Sequence, residues 1–238
     1  MLCKLDLHCH SIASDGAETI PELAEMAAQV GLSGLVITDH CSPNNAFTMN
    51  RTILESLESL TSNLQCPVIV GSEIQTPYGE FLLYGKKACE QWDHYKRDLA
   101  PIAKIFGITQ YWEMFEKFVL HKVTYSFDFG RCGIVKAVIG PKLSYAMALC
   151  HPNIVDRDWC LDMPKMFWGL VHGFEIQNEN IHYDQTKPEV VDFFMKNIPH
   201  CKCLRNSDHH GGDTLGMCYN EMELKEVSEN QLIHWFRV

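Results

Sequence analysis

Short apolar runs of strand length alternate with stretches whose apolar positions recur at helical spacing. This alternation predicts βα units around a parallel sheet. The first unit is legible residue by residue. Lys4 to Leu7 reads as a strand, a polar loop runs from Ser11 to Gly16, and Thr19-Ile20-Pro21-Glu22 has capping-box spacing with proline in the first turn. Leu23, Met26, Ala27 and Val30 make one helical stripe, Gly31 supplies the C-cap, and Gly34 to Thr38 is a second buried strand. A helix over 51–64, with Ile53, Leu54, Leu57, Leu60 and Leu64 on one face, leads to a third strand at Pro67 to Gly71. After a turn at Pro77-Tyr78-Gly79 comes a short fourth strand, Glu80 to Tyr84.

The rhythm breaks over 86–142. This aromatic-rich stretch reads as an irregular, partly helical insertion, with Tyr111, Trp112, Met114, Phe115, Phe118 and Val119 clustered, suited to a lid, a cap or a dimer surface. Strands return at Tyr145 to Leu149, Gly173 to Asn178 and Cys203 to Asn206. Helices follow at about 188–197 and after Ser228-Glu229-Asn230-Gln231. No repeat or linker divides the 238 residues, which fit one domain.

Most of these strands end on residues that can hold a metal ion. Side chains alternate along a strand, so in Asp6-Leu7-His8-Cys9-His10 the two imidazoles should point together, with Leu7 and Cys9 in the opposite layer. Asp39 and His40 end the second strand, Glu73 follows the third, and His151, then Asp208 and His210, follow later ones. In a closed parallel barrel, strand C-termini meet on one face, so these residues should converge. Carboxylates mixed with imidazoles suit Zn, Mn or Fe. So many ligands suggest two or three divalent ions, with Glu73 as a bridge offering one oxygen to each of two. Asp39 is expected to orient a neighbouring histidine, and His209 to be a neighbour rather than a ligand. Cys9 and Cys150 read as packing residues.

Charge and cysteine content narrow the alternatives. With 20 Lys+Arg against 30 Asp+Glu the net charge is −10, which disfavours broad nucleic-acid binding; Lys86-Lys87 and Lys96-Arg97 read as solvated surface. Eleven cysteines, an odd number in a long chain without a signal-peptide pattern, read as reduced thiols of a cytoplasmic protein. Cys201-Lys202-Cys203 has no second pair at zinc-finger spacing and reads as strand packing. No apolar run approaches the roughly 18 residues of a membrane span.

The motifs Asp6-Leu7-His8-Cys9-His10-Ser11, Ser14-Asp15-Gly16, Thr38-Asp39-His40, Gly71-Ser72-Glu73-Ile74, His151-Pro152 and Ser207-Asp208-His209-His210 together resemble the PHP (polymerase and histidinol phosphatase) family, in its order, from residue 6 to residue 210. The resemblance implies a distorted seven-stranded (β/α)7 barrel with a trinuclear metal centre. One ion would take His8, His10, Glu73 and Asp208, a second Glu73 and His151, and a third Asp15, His40 and His210. The family often has histidine where this chain has Asp15 and Glu80, which leaves Glu80 as a possible ligand of the second ion. The implied activity is metal-dependent phosphoesterase, a hydrolase in which a metal-activated hydroxide attacks phosphorus, with Glu73 and His210 in catalytic roles. A histidinol-phosphatase-like phosphomonoesterase is the alternative, and a non-catalytic metal-binding regulatory or scaffold domain is the reading of another class. The expected partners are a small phosphorylated substrate or a short oligonucleotide, with no membrane and no obligatory protein partner. Lys122, Arg131, Lys142, Arg157 and Arg205 are available to meet a phosphate.

Overall fold

The computed structural model describes residues 1–41, 64–76, 79–87, 89, 124–128, 134–138, 145–152, 168, 171–180 and 186–238. In chain order the elements are β1 (Leu2–Cys9), α1 (Ile20–Gln29), β2 (Gly34–Ile37), β3 (His40–Cys41), β4 (Val68–Thr76), β5 (Gly79–Tyr84), β6 (Thr124–Asp128) and β7 (Ile134–Val138). There follow β8 (Ala146–Leu149), β9 (Gly173–Asn178), α2 (Pro188–Asn197), β10 (Lys202–Asn206), β11 (Asn220–Glu223) and α3 (Glu229–Arg237). The expected helix at 51–64 lies almost wholly outside the described residues. So do the 86–142 aromatic cluster and Lys96-Arg97. Within that stretch, β6 and β7 form a separate antiparallel pair.

Eight strands form one curved sheet in the order β10-β9-β8-β5-β4-β2-β1-β11, with β3 added to β4. The expected parallel pattern holds for β1-β2-β4 and for β8-β9-β10, but β5 is antiparallel to both its neighbours and β11 is antiparallel to β1. Two antiparallel pairings in succession leave β4 and β8 pointing the same way. All six parallel-running strands therefore open on one mouth. The barrel-like sheet is nearly closed and has eight strands along this path among the described residues, where seven are expected.

β4 also runs further than the third strand expected. It pairs with β2 through Val70, then turns onto β3 and β5, so Glu73 lies inside the strand instead of after it. Gly71 sits at this change of partner. A Cβ there would come within 3.0 Å of Thr38 Cγ2 and 3.1 Å of Leu83 O, so a larger residue would push these neighbours back by a few tenths of an ångström.

Cys3, Leu5 and Leu7 of β1 pack with Val36, Ile69, Leu82, Ala148, Leu204 and Met222, an interior contributed by strands all round the sheet. Leu232, Ile233 and Phe236 of α3 join it, and Phe236 meets the first residue of β9, Gly173, so α3 covers the end opposite the mouth. Outside, Leu23, Ala24 and Ala27 of α1 pack on Cys9, Leu35 and Ile37. The capping box forms as predicted, with Thr19 N–H donating to Glu22 Oε2 at 2.8 Å and Glu22 N–H to Thr19 Oγ1 at 3.4 Å. Gly31 has a φ of +80°, as a C-terminal cap requires, while Val30 of the predicted stripe is 55% exposed.

Between β10 and β1 side chains replace the backbone ladder. Leu7 N–H donates to Asn206 Oδ1 at 3.2 Å and Ser207 N–H to Asp6 Oδ1 at 3.2 Å. A single parallel bridge joins Cys9 and His209. Asn220 of β11 accepts from Arg205 N–H at 2.9 Å, and its amide donates to Arg205 O and Asn206 Oδ1, each at 2.8 Å. Because it satisfies backbone groups of a neighbouring strand, Asn220→Ala should lower stability by about 2–4 kcal/mol. The midpoint of urea unfolding measures this; a shift equivalent to less than about 0.5 kcal/mol would show that the seam holds without it.

Candidate metal centre

Two adjacent residues of β1 face the interior because the strand carries a bulge. Between the pairs Asp6–Leu35 and Cys9–Ile37, β1 has one residue more than β2. Leu7 therefore stays in the interior with Leu5, contrary to the strict alternation, while His8 and His10 point together and Cys9 joins the outer layer. His8 Nε2 lies 3.1 Å from His10 Nε2, 3.1 Å from Asp208 Oδ1 and 3.4 Å from Glu73 Oε2. His10 Nε2 lies 3.2 Å from Glu73 Oε2 and 3.3 Å from Asp208 Oδ1. All four side chains are buried.

These separations test whether the residues fit an ion. Donor atoms on tetrahedral bonds of about 2.0–2.1 Å stand roughly 3.3 Å apart, which is the spacing seen. Glu73 Oε2 and Asp208 Oδ1 accept no hydrogen bond among the described residues, although imidazole nitrogens crowd both. His8 Nδ1 faces Glu175 Oε1 at 2.9 Å, so its Nδ1–H is donated there and its Nε2 lone pair is left for the cluster. The donor set suits Zn, Mn or Fe.

A second group surrounds the other oxygen of Glu73. His151 Nε2 lies 2.9 Å and Cys150 Sγ 3.1 Å from Oε1, and Glu80 Oε2 is 3.6 Å from His151 Nε2. A third occupies the mouth, where Asp15 meets His40 Nε2 and His210 Nε2, each at 3.3 Å, with His10 Nδ1 at 3.6 Å. Asp15 is held on a loop folded tightly onto β1; a Cβ at Gly16 would lie 2.2 Å from His10 O, so only glycine fits. His151 and Asp208 have φ of 25° and 51°, a left-handed conformation that costs a non-glycine residue of order 1–3 kcal/mol.

Charge is unevenly met. Burial alone would lower the His8 pKa, but Asp208, Glu175 and Glu73 raise it well above the ordinary range. Burial likewise opposes protonation of His40, yet Asp15 and Glu73 push its pKa to about 11. His151 and His210 are raised against burial by Glu73 and Asp15 respectively. Burial and the charge of Glu73 raise Glu80. The site thus favours positive charge.

Asp39 does not orient a histidine directly. It accepts from Ser11 N–H and Ser14 Oγ at 2.7 Å and from Ser11 Oγ at 2.8 Å, and reaches His10 only through Ser14, whose Oγ is 3.4 Å from His10 Nδ1. The sequence reading missed Glu175, which takes that orienting role for His8. Its signal was a lone carboxylate in an otherwise apolar stretch, Gly173-Phe174-Glu175-Ile176. Cys150, read as packing, turns its sulfur to Glu73. Asn180 Nδ2, 3.3 Å from both Asp208 Oδ2 and His210 Nδ1, was also unforeseen. His209 is buried but turned away, against Glu18 Oε2 at 3.1 Å and Thr214 Oγ1 at 2.8 Å. Of the possible phosphate-binding cations, Lys122, Arg131, Lys142 and Arg157 lie outside the described residues. Arg205 is on the outer face, lining a cleft of about 560 Å³ with Tyr219 and Trp235. Cys3, Cys9, Cys66, Cys89, Cys150, Cys201, Cys203 and Cys218 are free thiols, and among the described residues no helix is long and apolar enough to cross a membrane.

Similar folds are known. A two-domain protein from Bacteroides vulgatus, containing a predicted PHP-like metal-dependent phosphoesterase, matches with 19% identity and a TM-score of 0.53 over 88% of this chain. The chain spans about half of that protein, 52% of its length. A candidate metal-dependent phosphoesterase from Bifidobacterium adolescentis matches with 18% identity and a TM-score of 0.50, covering 90% of this chain and 91% of the other. No curated protein matches the sequence. The PHP domain matches residues 6–160, which carry the motifs of β1, β2, β4 and β8. With most of its length in that match and the later Asp208 and His210 brought to the same mouth, the chain belongs to the PHP domain family.

Proposed function

We propose that this chain is a metal-dependent phosphoesterase whose centre is built from His8, His10, Glu73 and Asp208, from Glu73 with His151, and from Asp15, His40 and His210. The observation that carries the reading is the buried set of imidazole and carboxylate atoms 3.1–3.4 Å apart, two of whose oxygens accept no hydrogen bond. Bound divalent ions would supply the positive charge that grips phosphate oxygens and acidifies water.

The chain's own residues supply the rest. Glu73, with a different group of donors at each oxygen, fixes the spacing between them. His210 donates Nδ1–H to Asp208 O at 2.9 Å, which leaves Nε2 at the mouth beside Asp15. Nε2 serves one role at a time: protonated beside that carboxylate, His210 is our choice for the proton donor to the leaving oxygen, and deprotonated it is the ligand named above. Asp15, His40 and His210 are the partly exposed members of the cluster, so substrate would enter over them. A small phosphomonoester of the histidinol-phosphate kind is the alternative substrate to a nucleotide or short oligonucleotide.

Zinc affinity should rise with pH, by about tenfold per unit for each proton displaced. The sign follows from the raised pKa values of His8, His40 and His151: a ring held more readily in its protonated form must release that proton before an ion can use the lone pair. Calorimetry in buffers of different ionisation enthalpy measures the protons released. Affinity independent of pH from about 6 to 8 would contradict the assignment.

Turnover tests the function. Given Mn, Fe or Zn, the protein should cleave a phosphomonoester or an oligonucleotide in a substrate panel. Glu73→Ala should reduce the rate by at least about 10²-fold while circular dichroism stays unchanged. Metal binding with no turnover of any phosphate ester would favour the scaffold reading instead.

A further inference from the structure

The carboxylate–imidazole set leaves out one potential ligand. Along β8, Ala146 and Ala148 face the barrel interior, and Cys150 continues that face just beyond the strand end. Consecutive residues of a strand face opposite sides, yet Cys150 and His151 both reach Glu73 Oε1, at 3.1 and 2.9 Å. The left-handed backbone at His151, with φ of 25°, makes this convergence possible. Simple packing needs no such turn.

Three further observations point to a ligand. Ligating atoms of His8, Glu73, Cys150 and His151 all lie within 4.8 Å of one another. Cys150 N–H donates to Glu80 O at 3.0 Å, so the thiol and the Glu80 carboxylate are carried by directly bonded strands. Glu80 Oε2 lies 3.6 Å from His151 Nε2, which brings a further oxygen donor to the side of Glu73 that carries Oε1. Cys150 is buried, so solvent does not account for its orientation.

We propose that Cys150 is a thiolate ligand of the ion held by Glu73 Oε1 and His151, with Glu80 completing the set, and that this position selects zinc over manganese. The inference rests on the metal-centre reading above. On binding, a sulfur–metal bond replaces the S–H bond, the proton passes to solvent, and nothing is oxidised or reduced. Sulfur is a soft donor: zinc accepts it readily, whereas manganese prefers oxygen.

Zinc X-ray absorption on the wild-type protein loaded with two equivalents should contain a sulfur shell at about 2.3 Å beside nitrogen and oxygen at about 2.0–2.1 Å. Cobalt loading should give visible d–d bands and a near-ultraviolet sulfur-to-cobalt band. In Cys150→Ser, and in Cys150→Ala as a second variant, the sulfur shell and that band should vanish. Zinc at the second equivalent should weaken by at least about tenfold, while manganese affinity changes less. Bound cobalt with d–d bands but no sulfur signal overturns the thiolate and leaves the metal centre standing. A sulfur signal that persists in both variants also overturns it, since another cysteine would be its source. Failure to bind zinc or cobalt at all overturns the metal-centre reading itself, and the thiolate with it.

Discussion

The barrel and its site depend on one buried carboxylate. Glu175 is fully buried in β9, and its Oε1 meets His8 Nδ1 at 2.9 Å and Asn206 Nδ2 at 2.7 Å. Its Oε2 accepts from His151 N–H at 2.7 Å and Asn178 Nδ2 at 3.0 Å. A buried anion without partners would be strongly destabilising, whereas one whose lone pairs are filled fixes its neighbours. These four bonds reach β1, the end of β8, β9 itself and β10. Burial pushes the carboxyl toward protonation, but His8 wins and lowers its pKa. Glu175 thus sets the tautomer of His8, helps hold the strained backbone of His151, and ties both to the seam through Asn206.

The seam shows why this matters. A closed barrel normally joins its first and last strands by backbone hydrogen bonds, but here Asn206, Asn220 and Asp6 do so with side chains. Side-chain closure leaves β1 and the segment after β10 free of strict ladder register. His10 N–H can then donate to His209 O at 2.9 Å while Asp208 turns inward with φ of 51°. His8 and His10 from one end of the chain meet Asp208 from the other because the closure is irregular.

How much of this was legible depended on the range of the interaction. α1 was readable because its cap, its stripe and Gly31 are local, and the convergence of His8, His10, Glu73, His151 and Asp208 because each lies in or just after an apolar strand. β11 was not: four alternating residues carry little signal, and their role rests on an amide in a seam formed by distant segments. The direction of β5 was within reach, since only two residues separate it from β4, too few for the crossover that parallel neighbours need. Leu7 was misplaced because a bulge leaves no mark on a period of two. Asp39 was misassigned for a related reason: its partners, Ser11 and Ser14, are chosen by a loop fold that Gly16 permits.

The mouth is poorly explained as a device for stability. Well-packed apolar residues often serve a fold better than buried ion pairs, and a cluster of five imidazoles with Glu73, Glu175 and Asp208 adds desolvation to the strain at two backbone positions. Protonation of the imidazoles would compensate in part, yet among the described residues Glu73 Oε2 and Asp208 Oδ1 accept no hydrogen bond. A divalent ion among the same atoms would replace several protons with one fixed charge and give those oxygens a partner. The arrangement is therefore costly for the chain alone and favourable for the chain with cations, so folding and metal affinity draw on the same free energy. In that balance Glu80 and Cys150, joined by a backbone hydrogen bond, both stand beside Glu73 Oε1 and His151.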